Sequence, residues 1–386
     1  MLRNVGLLLC SLGLVCLLGE GVLRLWSGNP LNRYDRFPQG LFCEPHALFG
    51  WSGRPRCIGV WPLAGPDMEV MEVRMNGQGF WDGPHALEKP PGIRRVLFLG
   101  DSFTIGFGVQ ARSRFADRVQ AGLGQGYESM NMGMWGFSTG QEVLVLTELG
   151  LAYDPDVVVL ALFLDDLYCS RLFSVNDGLY QKPKYALSDG NMLELQNVPV
   201  PNNHGPSRFW NFLVTRFSDL RNRMEVGEEA WRLGWVSVFD KAYVNDNGLT
   251  LSLLLLGRIQ DLCSKEDVDL LVVIIPYKGQ LQEFHIEGQG GSWSGIPSER
   301  LDLGLPQKVV KAYCQKRGIR CLDLLPIMER QPEPEGLFFK EDLHWTRRGH
   351  QVAADAILAE LEHTGEAATG RHGRPRADVT LSGTVP

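Results

Sequence analysis

Apolar positions along this chain gather into short unbroken runs set between stretches of helical spacing. RRVLFLG at Arg94–Gly100, DVVVLALF at Asp156–Phe163, the β-branched run Val268–Ile275 and the short Ile319–Leu322 have strand length and little polar alternation. That is the pattern of strands buried on both faces. Met130–Met132 predicts a further short strand. Ser113–Leu123, Thr139–Leu149, Leu251–Cys263, Pro306–Lys316 and Gly349–Leu361 carry helical periodicity between and after these runs. Strands alternating with helices predict a parallel sheet of about five strands in a three-layer α/β/α sandwich, flavodoxin-like in type.

Four segments depart from this rhythm. Within residues 1–26, Val5–Gly19 read VGLLLCSLGLVCLLG, about 15 positions without a charge, and helix can continue through Glu20 and Arg24 to Trp26. The uncharged run is short for a membrane span, but the continuation and the interfacial place of Trp26 favour an uncleaved signal-anchor over a cleaved signal peptide or a core helix. Residues 27–91, rich in Gly, Pro and Trp, read as an irregular pre-domain packed on the main domain at 92–362. An insertion at about 171–248 predicts a β-hairpin over Lys182–Val198, turning at Asp189-Gly190, and an amphipathic helix over Phe209–Met224. The tail 363–386 has no apolar pattern and reads as disordered.

Composition adds exclusions. Of 386 residues 44% are apolar and 22% charged, which excludes collagen-like, coiled-coil and wholly disordered chains. A net charge of -7 without a Lys/Arg block argues against nucleic acid as partner. The eight cysteines contain no CxxC pair, so zinc spacing is absent. A Cys43–Cys57 disulfide is open in an oxidising compartment, beside free buried thiols.

Two clusters carry candidate chemistry. The first strand runs into Asp101-Ser102-Phe103-Thr104. By itself this reads as a turn or helix cap, and it is not the GxSxG elbow of α/β-hydrolases. The second cluster, FKEDLHWTRRGH at Phe339–His350, changes the balance. A serine hydroxyl needs a base, the imidazole of His344 suits, and the imidazole needs a carboxylate to hold its tautomer. Glu341 and Asp342 both precede His344. His350 reads as a structural residue at the start of a helix.

With both clusters in place, the chain resembles the SGNH (GDSL-type) hydrolases over about Asn76–Leu361. Gly100-Asp101-Ser102-Phe103 resembles the nucleophile block, and Asn131-Met132-Gly133 the glycine block. The loop after DVVVLALF matches the position of an Asn-Asp pair, and Asp342-Leu343-His344 the acid-base block. Asn76-Gly77-Gln78-Gly79-Phe80 is similar to a lead-in of membrane-anchored or exported members. The resemblance implies Ser102 as nucleophile, His344 as base, and Ser102, Gly133 and the residue at 165 as oxyanion donors. Asp342 rather than Glu341 is the expected orienting carboxylate, because Asp342-Leu343-His344-Trp345 resembles the form of polysaccharide-modifying members.

One position breaks the pattern. Asp165 stands where asparagine is expected, and an ionised carboxylate only accepts hydrogen bonds. Either burial keeps Asp165 protonated, or Asn131 or Gln141 substitutes, or the protein is weakly active or inactive. Reduced but real activity is the expectation. The expected function is serine esterase action on O-acyl esters, carbohydrate esters among them, at a membrane-anchored extracytoplasmic site. O-acyl transfer to an extracytoplasmic polysaccharide and a non-catalytic hydrolase-like binding protein are the alternatives. No metal or organic cofactor is implied. Trp135, Trp345, Trp210, Trp231 and Trp235 are either groove-lining or packing residues.

Overall fold

The computed structural model describes residues 2–26, 42–61, 67–175, 180–188, 192–201, 208–282 and 295–368. Its centre is a parallel sheet of five strands, β1 (Arg94–Gly100), β2 (Tyr127–Asn131), β3 (Val157–Phe163), β4 (Asp269–Ile275) and β5 (Arg320–Asp323). They lie side by side in the order β2-β1-β3-β4-β5. All four pairings are parallel. Every residue of β3, the middle strand, is buried, which is why its sequence shows no alternation. β2 begins three residues before the expected Met130, because an edge strand keeps polar residues such as Glu128 and Ser129 that give no apolar run.

The helices include α1 (Leu2–Trp26), α2 (Ser102–Ile105), α3 (Phe115–Leu123), α4 (Thr139–Glu148), α5 (Asp166–Cys169), α6 (Arg208–Val226), α7 (Asn247–Lys265), α8 (Leu305–Arg317) and α9 (Arg347–Ala368). α3 packs on α9, and α7 packs on α4 and α8. Right-handed crossovers in this strand order put the first pair on one face of the sheet and the other three on the opposite face. The result is the expected α/β/α sandwich of SGNH type, with insertions. The order reverses between β1 and β3, so the ends of those strands open the crevice where such sheets place ligands.

Several elements differ from their sequence-based outlines. Residues 42–91 hold two antiparallel strand pairs, Cys43–His46 with Gly50–Gly53 and Ile58–Val60 with Glu72–Arg74, too short to leave a periodic pattern. No disulfide joins Cys43 and Cys57. In the insertion Lys184–Ser188 pairs with Met192–Gln196 as a hairpin, whose Asp189-Gly190 turn lies outside the described residues. α9 continues past Leu361 to Ala368, so helix takes the first part of the expected tail, and 369–386 lie outside the described residues. α1 is 25 residues long, and its segment Asn4–Leu23 has a mean hydropathy of 2.1 with none of it buried. By length and composition it is able to cross a membrane.

A fully buried arginine ties residues 86–88 to the sheet. Arg95 on β1 pairs with Glu128 of β2 at 2.7 Å and donates to the carbonyls of Ala86, Leu87, Glu88 and Tyr153. Removing one partner of such a buried array leaves acceptors without donors, which costs roughly 3 to 5 kcal/mol. Arg95→Met is therefore expected to lower the unfolding free energy of the detergent-solubilised full chain by about that amount in urea titration. A change below about 1 kcal/mol would show that water replaces the guanidinium.

Candidate functional site

The serine block is shaped by glycine. Gly100 ends β1 at φ 151°, and a Cβ there would lie 2.2 Å from Thr104 Oγ1 and 2.9 Å from the Ala161 carbonyl. The chain turns at once into α2, whose first residue is Ser102 and whose cap is Asp101, accepting from the Phe103 amide at 2.9 Å. Asp101 is thus the helix cap that the bland reading of this block foresaw. Ser102 is only half-buried, so its hydroxyl reaches the crevice.

Three sequence-selected side chains meet here. His344 Nε2 lies 2.6 Å from Ser102 Oγ, and His344 Nδ1 lies 2.5 Å from Asp342 Oδ1. Asp342 Oδ1 also accepts the His344 amide at 2.8 Å, so one oxygen holds both ring and backbone. Asp342 rather than Glu341 supplies the carboxylate, and Glu341 is exposed. Burial opposes charge on Asp342, but the charge on His344, its two hydrogen bonds and Lys278 outweigh burial and hold the carboxyl below its ordinary value. Ser102 can thus lose a proton to an imidazole whose orientation is fixed.

The backbone around His344 is held from below by a residue sequence reasoning missed. Lys278, just after β4, donates to the carbonyls of Phe339 at 2.6 Å, Lys340 at 2.7 Å and Asp342 at 3.2 Å. Burial lowers its pKa to about 8, with Asp342 and Asp67 pulling the other way. Asp67 accepts the Lys340 amide at 2.7 Å, which adds a support from the pre-domain. Phe103 and Phe107 pack on the His344 ring with centroids 4.9 and 4.8 Å away, and Trp61 meets Phe107 edge-on. A lone lysine after a strand and a tryptophan in an aperiodic segment carry no pattern that would have marked them.

The expected oxyanion groups are arranged unevenly. Gly133 presses on α2: a Cβ there would come within 2.7 Å of the Ile105 amide nitrogen, so only glycine fits. Its N–H donates to Asn131 Oδ1 at 2.9 Å, and this bond must be exchanged before the amide can serve an oxyanion. Asn131 and Gln141, the side chains weighed as substitutes for asparagine, are both engaged. Asn131 Nδ2 donates to the Thr104 carbonyl at 2.7 Å and Gln141 Nε2 to the Phe49 carbonyl at 2.8 Å. Asp165, half-buried, lies two residues past β3 and within electrostatic range of Asp101 in the serine block. Burial first, then the neighbouring Asp101 charge, raises its carboxyl well above the ordinary range, with Lys182 opposing. A carboxyl that stays protonated is a donor.

Asp165 belongs to a larger buried group of charges. Glu142 on α4, Asp166 on α5 and Lys182 of the insertion are all buried. Lys182 donates to Ser138 Oγ and to the Cys169 carbonyl at 2.8 Å. Burial lowers its pKa to about 8. Burial and mutual repulsion raise Glu142 and Asp166 well above the usual carboxyl range, and none of their four oxygens has a hydrogen-bond partner among the described residues. One cation cannot keep all the neighbouring carboxyls ionised in so little water.

His350 is buried, and its Nδ1 accepts the Phe115 amide at 3.3 Å. Burial drives its pKa down to about 3, so it is a neutral core residue, as its place in the sequence suggested. Trp135 and Trp345 are buried packing residues rather than groove walls. Trp235 packs against Tyr277 and Phe163, Trp231 is partly buried on the core, and Trp210 is exposed.

Comparison with known proteins gives partial matches. Residues 227–383 match the family model described as "SGNH hydrolase-like domain, acetyltransferase AlgX", a span that includes Asp342 and His344 but not Ser102. The chain is 26% identical over 145 residues to the "Probable alginate O-acetylase AlgJ" of Pseudomonas syringae pv. tomato, covering 38% of this chain and 35% of that protein. It thus spans about a third of the length of the curated relative it matches. Similar solved chains include a lipase/acylhydrolase from Enterococcus faecalis, at 16% identity over 70% of this chain and 97% of that one, with TM-score 0.39. Another is the acetyl xylan esterase AlAXEase, at 15% identity over 69% and 99% respectively, also with TM-score 0.39. The fold is SGNH-hydrolase-like.

The buried carboxyls set a sign for stability against pH. Their folded pKa values lie above the unfolded ones, so above about pH 4 the folded chain holds protons that the unfolded chain releases, and stability falls as pH rises. Glu142→Gln removes one such proton. The unfolding free energy of the variant should match the parent near pH 4.5 and exceed it at pH 8, its fall with pH being gentler by up to about 1.4 kcal/mol per pH unit. Parallel curves for the two proteins would mean that Glu142 is ionised in the folded chain.

Proposed function

We propose, from the premise of an SGNH-hydrolase-like fold, that this chain is a serine O-acyltransferase that moves an acyl group to a hydroxyl of an extracytoplasmic polysaccharide. Ser102 Oγ attacks the donor's acyl carbonyl as His344 Nε2 takes its proton, and Asp342 holds the imidazole through Nδ1. The tetrahedral oxyanion is met by the Ser102 and Gly133 amides and by protonated Asp165. The donor's leaving oxygen takes the proton from His344. The acceptor hydroxyl then attacks the acyl-Ser102 ester, gives its proton to His344, and departs acylated as that proton returns to Ser102. Ester hydrolysis, the first expectation from sequence, uses the same intermediate with water as acceptor.

The observation that carries the catalytic reading is the unbroken run of short contacts from Ser102 through His344 to Asp342. It speaks against a merely binding role. Transfer is favoured over hydrolysis because the matched family model is described as an acetyltransferase and the matched relative as an alginate O-acetylase. The pre-domain's Trp61 and Asp67 and the insertion's Lys182 pack around the site, which suits one that limits water. The length and apolarity of α1 suit an anchor, which would hold the domain at a membrane surface beside such a polysaccharide.

Incubation of the full chain with p-nitrophenyl acetate and an oligosaccharide acceptor tests this by mass spectrometry of the acceptor. Acylated acceptor is expected, and Ser102→Ala should lower its formation at least ~1000-fold. Equal rates for both proteins would remove the catalytic reading, while Ser102-dependent ester loss with unmodified acceptor would restore hydrolysis. The second test is a pH profile. Raising pH ionises Asp165 and removes a donor, so parent turnover should fall on the alkaline side by about 100- to 1000-fold, and Asp165→Asn should hold its turnover there. Loss of turnover in Asp165→Asn at every pH would show that Asp165 does something other than donate.

A further inference from the structure

Helix α6 faces the wrong way for a helix of a water-soluble domain. Its buried positions are Thr215, Ser218, Asn222 and Val226, three of them polar. Asn222 accepts the Phe173 amide at 2.8 Å and donates to the Ser174 carbonyl at 2.9 Å, and Ser218 bonds Gln181. Its exposed positions include Trp210, Leu213, Phe217, Leu220 and Met224, with 43 to 78% of their surfaces open. At about 100° per residue these five fall within an arc of roughly 80°, nearly opposite the buried polar stripe. A continuous apolar strip of this kind on a monomer marks a contact surface.

The occupant is indicated by the neighbour of α6. The helix starts against the end of α1: Glu20 accepts the Phe209 amide at 2.9 Å, and a Cβ on Gly19 would lie 2.5 Å from the Phe209 ring. The apolar segment Asn4–Leu23 is about 30 Å long at 1.5 Å per residue, the thickness of a bilayer's hydrocarbon, and its carboxylate-bearing end is the end that α6 touches. α6 therefore begins at the Glu20 end of that apolar segment. Arg216 and Arg221 are exposed beside the apolar stripe, their guanidinium groups lying over the rings of Phe212 and Phe173.

We propose that α6 lies in the plane of the membrane surface, its Trp210–Met224 stripe sunk among lipid acyl chains, and so docks the catalytic crevice at a set height above the bilayer. The proposal rests on the reading of α1 as a membrane anchor. It is tested with the full chain in phosphatidylethanolamine–phosphatidylglycerol vesicles containing a lipid with a diazirine on its acyl chain, irradiated and mapped by peptide mass spectrometry. Adducts are expected in both α1 and 210–224. Phe217→Ser, Leu220→Ser and Met224→Ser combined should cut the α6 adducts at least ~five-fold, leaving α1 adducts and the thermal midpoint as in the parent. Adducts in α1 with none in α6 would overturn the docking surface while leaving the anchor, and would point to a protein or second copy as occupant. Absence from both would overturn anchor and docking together, whereas adducts in α6 alone would keep the lipid face and remove the span. α6 adducts that persist in the triple variant would overturn the role of the stripe.

Discussion

Ser102 and His344 are 242 residues apart in sequence, and the 2.6 Å contact between their side chains is what the rest of the architecture must maintain. A hydrogen bond of that length tolerates little drift, so both ends are over-determined. At the serine end, Gly100 and Gly133 permit backbone approaches that no side chain would allow, and Asp101 caps the turn. At the histidine end, one Asp342 oxygen holds ring and amide together, while Lys278 gathers three carbonyls of the same loop. Both ends sit at the reversal of strand order, where the sheet leaves a crevice without further shaping.

The aspartate at 165 is better understood as one of a set than as a single departure. It shares its surroundings with Asp101, Glu142, Asp166 and Lys182. Burial and mutual repulsion favour neutral carboxyls across the set, so the chemical difference between Asp165 and an asparagine shrinks in this environment. An exposed aspartate would be ionised and would repel an oxyanion. The cost appears elsewhere, in a stability that declines with rising pH, and it is a cost of a kind accepted at functional sites rather than in ordinary cores.

Parts of this were readable from residues alone. β1, β3 and β4 announced themselves because a strand covered on both faces has no choice but to be apolar throughout. The Ser102, Asp342 and His344 trio was legible through the resemblance to the SGNH blocks, since the serine block by itself reads as a turn or helix cap. Lys278, Lys182, Glu142 and Trp61 were not legible. Each acts through a partner far away in sequence, and a single lysine or tryptophan has no periodicity. Gln141 and Asn131 illustrate the converse, since their amide chemistry qualified them as oxyanion donors until their bonding to Phe49 and Thr104 was seen.

The sequence by itself determined the alternation of elements, the length and apolarity of α1, the amphipathic helix in the insertion, and the residue types at the site. All of these follow from local patterning, which the backbone period converts directly into structure. Tertiary structure decided which face of α6 is turned inward, which of Glu341 and Asp342 reaches His344, and whether the carboxyl of Asp165 carries charge. Those outcomes depend on neighbours brought together by folding. Facing, reach and ionisation are properties of a surrounding, and a linear chain specifies its surrounding only once it has closed on itself.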